Sequence, residues 1–166
     1  MKKANTIKVL IELEPKNLYL NGEYYRELIA KALGDCEHLH PKILFRLLKD
    51  ESTGVRAAAA KSFGHHGDTI AVPQLIKLLK DQDTNVRLRV AEALGKIGSK
   101  KAIGPLLELL NGDNDEAIEE CAKEAIAQIV KSWIKDILFL MMDSEFEKDS
   151  EDVKRVLKQI QDCKLD

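Results

Sequence analysis

The sequence predicts an all-α fold built from stacked helical repeats, and three observations lead to this prediction. Four ten-residue segments resemble one another at successive spacings of 30, 31 and 32 residues, and each places apolar residues at helical intervals. Aromatic residues make up only 5% of the chain, whereas Ala and Leu are abundant, which favours helices. The four segments are YRELIAKALG at 25–34, VRAAAAKSFG at 55–64, VRLRVAEALG at 86–95 and IEECAKEAIA at 118–127.

These four segments predict the second helix of each repeat. In the third copy Val86, Val90 and Leu94 form one apolar stripe, and the fourth copy repeats the pattern from Ile118. The run of alanines at 57–60 fits the same helix, because small side chains let neighbouring helices approach closely. Ala59 and Ala60 are therefore expected to be packing positions.

A shorter apolar segment precedes each second helix and predicts a first helix. Prolines lie near the starts of these segments, where a missing N–H is tolerated, and glycines near the ends of the second helices predict left-handed caps. The prolines are Pro41, Pro73 and Pro105, and the glycines are Gly34, Gly64 and Gly95. Because no helical pair can bury its stripe alone, the pairs are expected to stack.

The ends of the chain complete the first repeat and add a fifth. TIKVLIEL at 6–13 reads as the first helix of the first repeat, and the last repeat is expected to hold helices near 132–142 and 151–163. The whole chain, 1–166, is then a single domain in which the terminal repeats are atypical caps. The predicted repeats are 5–36, 37–67, 68–99, 100–131 and 132–166.

Residues 71–110, AVPQLIKLLKDQDTNVRLRVAEALGKIGSKKAIGPLLELL, resemble the HEAT repeat, and in particular the short HEAT-like repeat of phycobilisome lyases. The resemblance is strongest over residues 41–130. It implies a right-handed α-solenoid of about five helical hairpins. It also implies a ladder in which an Asp before each second helix and an Arg six residues later link neighbouring repeats. Asp50 with Arg56 and Asp81 with Arg87 match that ladder.

The same ladder departs from the family pattern at both ends of the chain. Leu20 stands six residues before Arg26 where the family has Asp, and Glu119 stands six residues after Asp113 where the family has Arg. These departures are expected of capping repeats.

The resemblance further implies that the second helices line a concave groove that binds a partner. We expect the third, seventh and eleventh positions from each Val-like residue to be exposed there. The predicted groove residues are Ala57, Lys61, His65, Leu88, Glu92, Lys96, Glu120 and Glu124, with Glu27, Lys31, Asp35 and Gln128 completing the rows. Charges of both signs alternate along these rows without aromatic residues, which argues against a nucleic-acid track.

The function predicted from these features is a non-catalytic scaffold for another protein, with no cofactor. The sequence has no P-loop, G-x-S-x-G motif or dinucleotide fingerprint, and it lacks the His-Glu dipeptides that di-iron HEAT-like hydroxylases use. The name of the resembling family suggests an enzymatic alternative. In that alternative the chain is a bilin lyase or isomerase-like subunit that assists tetrapyrrole attachment to a protein.

Cysteine and histidine residues near the first repeat junction leave a metal site open as a second alternative. Cys36, His38, His40 and His66 could offer soft ligands to zinc, because stacking brings equivalent loops together. The competing interpretation is that they are solvated loop residues, since no regular zinc-finger spacing is present.

Compartment and oligomeric state are predicted from simpler features. Cys36, Cys121 and Cys163 are widely spaced and odd in number, the N-terminus makes a poor signal peptide and no apolar run reaches membrane length. We therefore expect a cytoplasmic monomer. The alternative is a dimer contact through Phe139 and Met142, where the solvated position of earlier first helices becomes apolar.

Overall fold

The computed structural model describes residues 22–36, 40–112 and 115–143, with the backbone alone over 138–143. These ranges contain seven α-helices and no β-strand, so the predicted all-α repeat fold is confirmed. Two short 3-10 helices, Thr69–Ala71 and Lys100–Ala102, lead into the first helices that follow them. In chain order the α-helices are α1 (Glu23–Gly34), α2 (Pro41–Leu47), α3 (Thr53–His66), α4 (Val72–Leu78), α5 (Thr84–Ile97), α6 (Ile103–Gly112) and α7 (Glu116–Asp143).

The second helices α3 and α5 begin at side-chain caps. The Ser52 hydroxyl accepts the backbone N–H of Val55 at 3.4 Å, and the Asp83 carboxylate accepts that of Val86 at 3.1 Å. Each cap satisfies one of the N–H groups that a helix leaves without a partner in its first turn. The two helices therefore start at the same position of consecutive repeats.

Both helices end at glycines, but not at the glycines that the sequence suggested. Gly67 and Gly98 adopt φ values of 65° and 72°, a conformation that residues with a side chain rarely adopt. Gly64 and Gly95 lie three residues earlier, inside α3 and α5, and both are buried. The prediction that they are left-handed caps was therefore wrong.

Gly64 and Gly95 instead allow successive second helices to approach closely. A Cβ on Gly64 would lie 2.8 Å from the Cα of Ala93, and a Cβ on Gly95 would lie 2.9 Å from the Cα of Ala125. Real Cβ atoms essentially never come so near to backbone. The contact recurs from α3 to α5 and from α5 to α7, so glycine at this position sets the spacing of the stack.

Between α1 and α3 the equivalent glycine is Gly34, and it faces a serine of α3. A Cβ on Gly34 would lie 2.6 Å from the Ser62 Oγ. That hydroxyl donates a hydrogen bond and lies 2.6 Å from the Ala30 carbonyl and 2.9 Å from the Ala58 carbonyl. Ser62 is buried, and these contacts satisfy its hydroxyl.

The apolar stripes predicted for the second helices form the centre of the core. Val55, Val86 and Ile118 stand at the same position of three repeats and are all fully buried. The first helices close the core from the other side, with Leu44, Leu75 and Leu106 also fully buried at intervals of 31 residues. These fully buried side chains fix the register in which the repeats stack.

The predicted break before the fifth repeat is missing from the structure. Helix α7 is 28 residues long and passes without interruption through position 132, where a new first helix was expected to begin. The position equivalent to Gly67 and Gly98 is Val130 in this repeat. A β-branched residue strongly disfavours the left-handed conformation that ended α3 and α5, so the helix runs on.

The contacts divide the chain into two compact units, 1–131 and 132–166, and the packing described above belongs to the first. Several predicted features lie outside the described residues: the helices at 6–13 and 151–163, and the side chains of Phe139 and Met142. None of the helices in the described ranges is both long and apolar enough to cross a bilayer.

Replacing Gly64 with alanine tests the close approach of α3 and α5. We expect Gly64→Ala to lower the free energy of unfolding by about 1–3 kcal/mol, because the new methyl group collides with the Ala93 backbone. Gly104→Ala is the matched control, since a Cβ at that helical position meets nothing within 4 Å. It should leave stability unchanged or raise it by up to about 1 kcal/mol. Equal responses in urea denaturation would contradict the close contact.

Candidate functional site

The second-helix face is the exposed surface of α1, α3, α5 and α7 that the predicted groove residues occupy. Lys61 and His65 on α3, and Lys96 on α5, are exposed there as expected. Glu120 and Glu124 on α7 are also exposed. The regular repeat spacing sets these side chains in successive rows.

Four predicted groove residues are less accessible than the sequence suggested, and two of them, Glu27 and Glu92, are still partly exposed. Ala57 is only 5% exposed, and Leu88 is partly buried against the core. An alanine carries one methyl group beyond the backbone, so closely spaced neighbouring helices can cover it completely. The expectation that Ala57 is an exposed groove residue was wrong, and Leu88 belongs partly to the packing.

The lysines at the centre of this face lack an ion-pair partner among the described residues. Lys31 in the first row is bound by Glu27, with 2.6 Å between Nζ and Oε1. Glu92 in the third row accepts two hydrogen bonds from Arg89, at 2.9 and 3.0 Å. Across the described ranges, by contrast, no carboxylate lies within ion-pair distance of Lys61 or Lys96. The centre of the face therefore presents two ammonium groups to solvent.

The thiol beside these rows is poorly suited to nucleophilic chemistry. Cys121 is half-buried, and its Sγ lies 3.5 Å from the Leu88 carbonyl. Burial, followed by the negative charges of Glu92 and Glu124, raises its pKa to about 11. The thiolate is the reactive form, so this side chain stays protonated and unreactive near neutral pH.

The ladder between repeats takes a definite form in the structure. Arg56 of the second repeat donates to Asp81 of the third through Nε and Nη2, each at 2.9 Å from a carboxylate oxygen. Both side chains are largely buried, at 15% and 8% exposure. Such a bidentate pair fixes the relative position of two repeats more firmly than a single contact.

Arg56 and Arg87 also bind the turns of their own repeats. Nη1 of Arg56 donates to the carbonyls of Asp50 and Glu51, both at 2.9 Å. Nη1 of Arg87 donates to the carbonyls of Asp81 and Gln82 at 2.9 and 3.1 Å. The Asp and Arg of one repeat therefore meet through backbone carbonyls, whereas the paired side chains belong to different repeats.

This geometry explains why the ladder extends further toward the N-terminus than the motif suggested. Arg26 donates to Asp50 at 2.7 and 2.9 Å, although Leu20 replaces the aspartate of its own repeat. Because each arginine pairs with the aspartate of the next repeat, the leucine at position 20 does not prevent the pairing of Arg26 with Asp50. At the other end, Asp113 lies outside the described residues, and Glu119 pairs with Lys123.

The ladder pair has a defined response to pH. Burial opposes the charge of Asp81, but hydrogen bonds from Arg56 and the Asp83 backbone, together with nearby arginine charges, outweigh it and lower the pKa. A carboxyl whose pKa is lowered in the folded state stabilises the fold above its unfolded pKa, about 3.9. That contribution is lost as pH falls through the lower, folded value.

Two of the proposed metal ligands contact backbone carbonyls, one is described without such a contact (His40), and one lies outside the described residues. His66 Nε2 lies 2.9 Å from the Leu33 carbonyl, and the Cys36 thiol lies 3.1 Å from the Ala32 carbonyl. His38 is not described. Within the described ranges no three His, Cys, Asp or Glu side chains are grouped so that they could hold a metal ion.

A polar contact between α1 and α3 was not foreseen from the sequence. The Ser52 hydroxyl, which caps α3, donates to Oε1 of Glu23 at 2.6 Å. The capping role could have been recognised from Ser52 standing three residues before the apolar Val55. The link to Glu23 could not, because it depends on how the first and second repeats are stacked.

A family model described as HEAT repeats matches residues 40–127, which is more than half of the chain. The matched range begins at the residue before α2 and ends within α7. A search of the curated proteins found no match.

Removing Arg56 tests the ladder. We expect Arg56→Ala to lower the free energy of unfolding at neutral pH by about 1–3 kcal/mol, because Asp81 keeps its burial but loses its charged donor. The effect should shrink as pH falls below about 4, where Asp81 becomes protonated in the unfolded chain. Arg46→Ala, an exposed arginine of α2, is the control and should change stability little. A loss of stability that does not vary with pH would contradict the pairing with Asp81.

Proposed function

Because the chain belongs to the family of HEAT repeats, we propose that it is a non-catalytic scaffold that binds another protein through the second-helix face. HEAT repeats are generally protein-interaction scaffolds. The observation that carries the proposal is the pair Lys61 and Lys96, exposed at the centre of the face without an ion-pair partner in the described chain.

The charges of the face suggest the chemistry of its partner. Lys61 and Lys96 would attract carboxylates, whereas Glu120 and Glu124 on α7 would attract a basic group. A partner segment that crosses the rows would therefore carry acidic residues over α3 and α5 and a basic residue over α7. Complementary charges of this kind favour one orientation of the partner over its reverse.

A scaffold suits the side chains available on this face better than a catalyst does. The Cys121 thiol is held protonated by burial and by neighbouring carboxylates. The two ammonium groups lie on an exposed surface, where water screens their charge. Such groups favour recognition of a charged surface over stabilisation of a reaction intermediate.

The tetrapyrrole alternative gains no support from the matched family or from the described residues. Absorbance of the protein after incubation with a bilin tests it directly. Unchanged bilin absorbance is the result that we expect. A shifted, protein-bound spectrum that survives gel filtration would favour the alternative instead.

Charge reversal at the centre of the face tests the scaffold. Immobilised wild-type protein and the variant Lys61→Glu with Lys96→Glu should be exposed to lysate of the source cell, and captured proteins quantified by mass spectrometry. We expect at least one captured protein to fall by about tenfold or more, because about 1.4 kcal/mol of lost binding suffices for that change.

The control carries the same change of charge away from the face. Lys101→Glu with Lys135→Glu alters two exposed lysines outside the groove rows and should capture that protein as the wild type does. Circular dichroism of both variants should match the wild type. Equal capture of every protein by all three forms would refute binding through this face.

A further inference from the structure

The opposite side of the repeats carries a second charged surface, which we call the outer basic surface. It comprises five exposed side chains on and just after α2 and α4. Residues 41–49 read PKILFRLLK and residues 72–80 read VPQLIKLLK, and neither stretch contains an acidic residue. The chain as a whole has a net charge of -2, so this concentration of positive charge is local. The five side chains are Lys42, Arg46, Lys49, Lys77 and Lys80.

The repeat register places like charges opposite each other on this surface. At the junction of the third and fourth repeats, Lys80 faces Glu108, with 3.6 Å between Nζ and Oε2. The same two positions one repeat earlier, 31 residues back, are Lys49 and Lys77. By the repeat register, two cations therefore stand at the earlier junction, where the later junction has a cation and an anion. Like charges at these positions repel each other unless an anion lies between them.

The nearby carboxylates are already bound by ladder arginines. Asp50 follows Lys49 directly but is paired with Arg26 and largely buried. The exposed Glu51 lies 3.2 Å from the same arginine. The carboxylates of the second-repeat turn therefore point toward the ladder. Among the described residues, Lys42, Arg46, Lys49 and Lys77 have no ion-pair partner.

We propose that the outer basic surface binds a short acidic segment of a partner protein. Neighbouring helix axes lie about 8–10 Å apart, and nine helical residues extend about 13 Å. An extended segment of about four to six residues, rich in Asp or Glu, matches that span. This site lies on the first helices, so it is independent of the second-helix face.

The limited extent of the surface favours a short peptide over a larger polyanion. Glu108 on α6 occupies the position of Arg46 and Lys77, so the row of cations at this helical position ends at the next repeat. A DNA duplex or a bilayer would extend beyond α4 and meet this carboxylate. A short acidic segment covers Lys42, Arg46, Lys49 and Lys77, whereas Lys80 at the edge of the surface already pairs with Glu108.

Fluorescence anisotropy with a defined probe tests the proposal. The probe is a fluorescein-labelled peptide of six glutamates flanked by glycine and serine, titrated with the full chain at low salt. We expect binding that Arg46→Glu with Lys77→Glu weakens by about tenfold or more. Binding should also weaken as salt rises to about 0.5 M, because exposed charges are screened.

Two comparisons give the proposal its sharpest test. The variant Lys101→Glu with Lys135→Glu makes the same change in net charge, but at two lysines that lie outside both surfaces. It should bind the peptide like the wild type. Equal weakening in this control would overturn the proposal, since net charge alone would then explain binding. Tighter binding of a DNA duplex or of phosphatidylserine vesicles, lost in the Arg46→Glu and Lys77→Glu variant, would overturn the choice of an acidic protein segment.

Discussion

Successive second helices approach so closely that only a hydrogen atom fits at the crossing point, and the other features of the stack depend on this contact. Gly64 faces the backbone of Ala93, and Gly95 faces that of Ala125. Without a side chain at these two positions, α3, α5 and α7 can pack almost backbone to backbone. The fully buried Val55, which stands nine residues before Gly64 on α3, fills the same core. Close packing of this kind makes the interior sensitive to a single added methyl group.

The close approach determines how polar groups are distributed around the repeats. Because the helices are so near, the turn of one repeat comes within reach of the arginine of the repeat before it. Arg26 and Arg56 each use that proximity to bind an aspartate of the next turn. The ladder arginines bind these carboxylates at one edge of the stack. Lys61 and Lys96 on one side, and the outer basic surface on the other, remain available for partners.

The sequence predicted the helices and their buried stripes well, because each stripe repeats at nearly constant spacing. It predicted the function of individual residues less well. Gly64 looked like a helix cap, since glycine serves both caps and close contacts and the sequence alone does not separate them. Ala57 looked exposed because helical periodicity places it on the second-helix face. Its burial depends instead on the distance to the neighbouring helix, which the sequence does not show. The pairing of Arg26 required the stacked arrangement of two repeats.

Nuclear Overhauser spectroscopy measures the close approach of second helices most directly. A Cβ placed on Gly64 would lie 3.0 Å from the Ala93 Cβ, so the α-protons of Gly64 must lie close to the Ala93 methyl group. We expect a strong cross-peak between these protons, and a second between Gly95 and Ala125. If assigned spectra of the full chain lacked both cross-peaks, the second helices would be too far apart for the contacts of Gly64 and Gly95 with the neighbouring alanines.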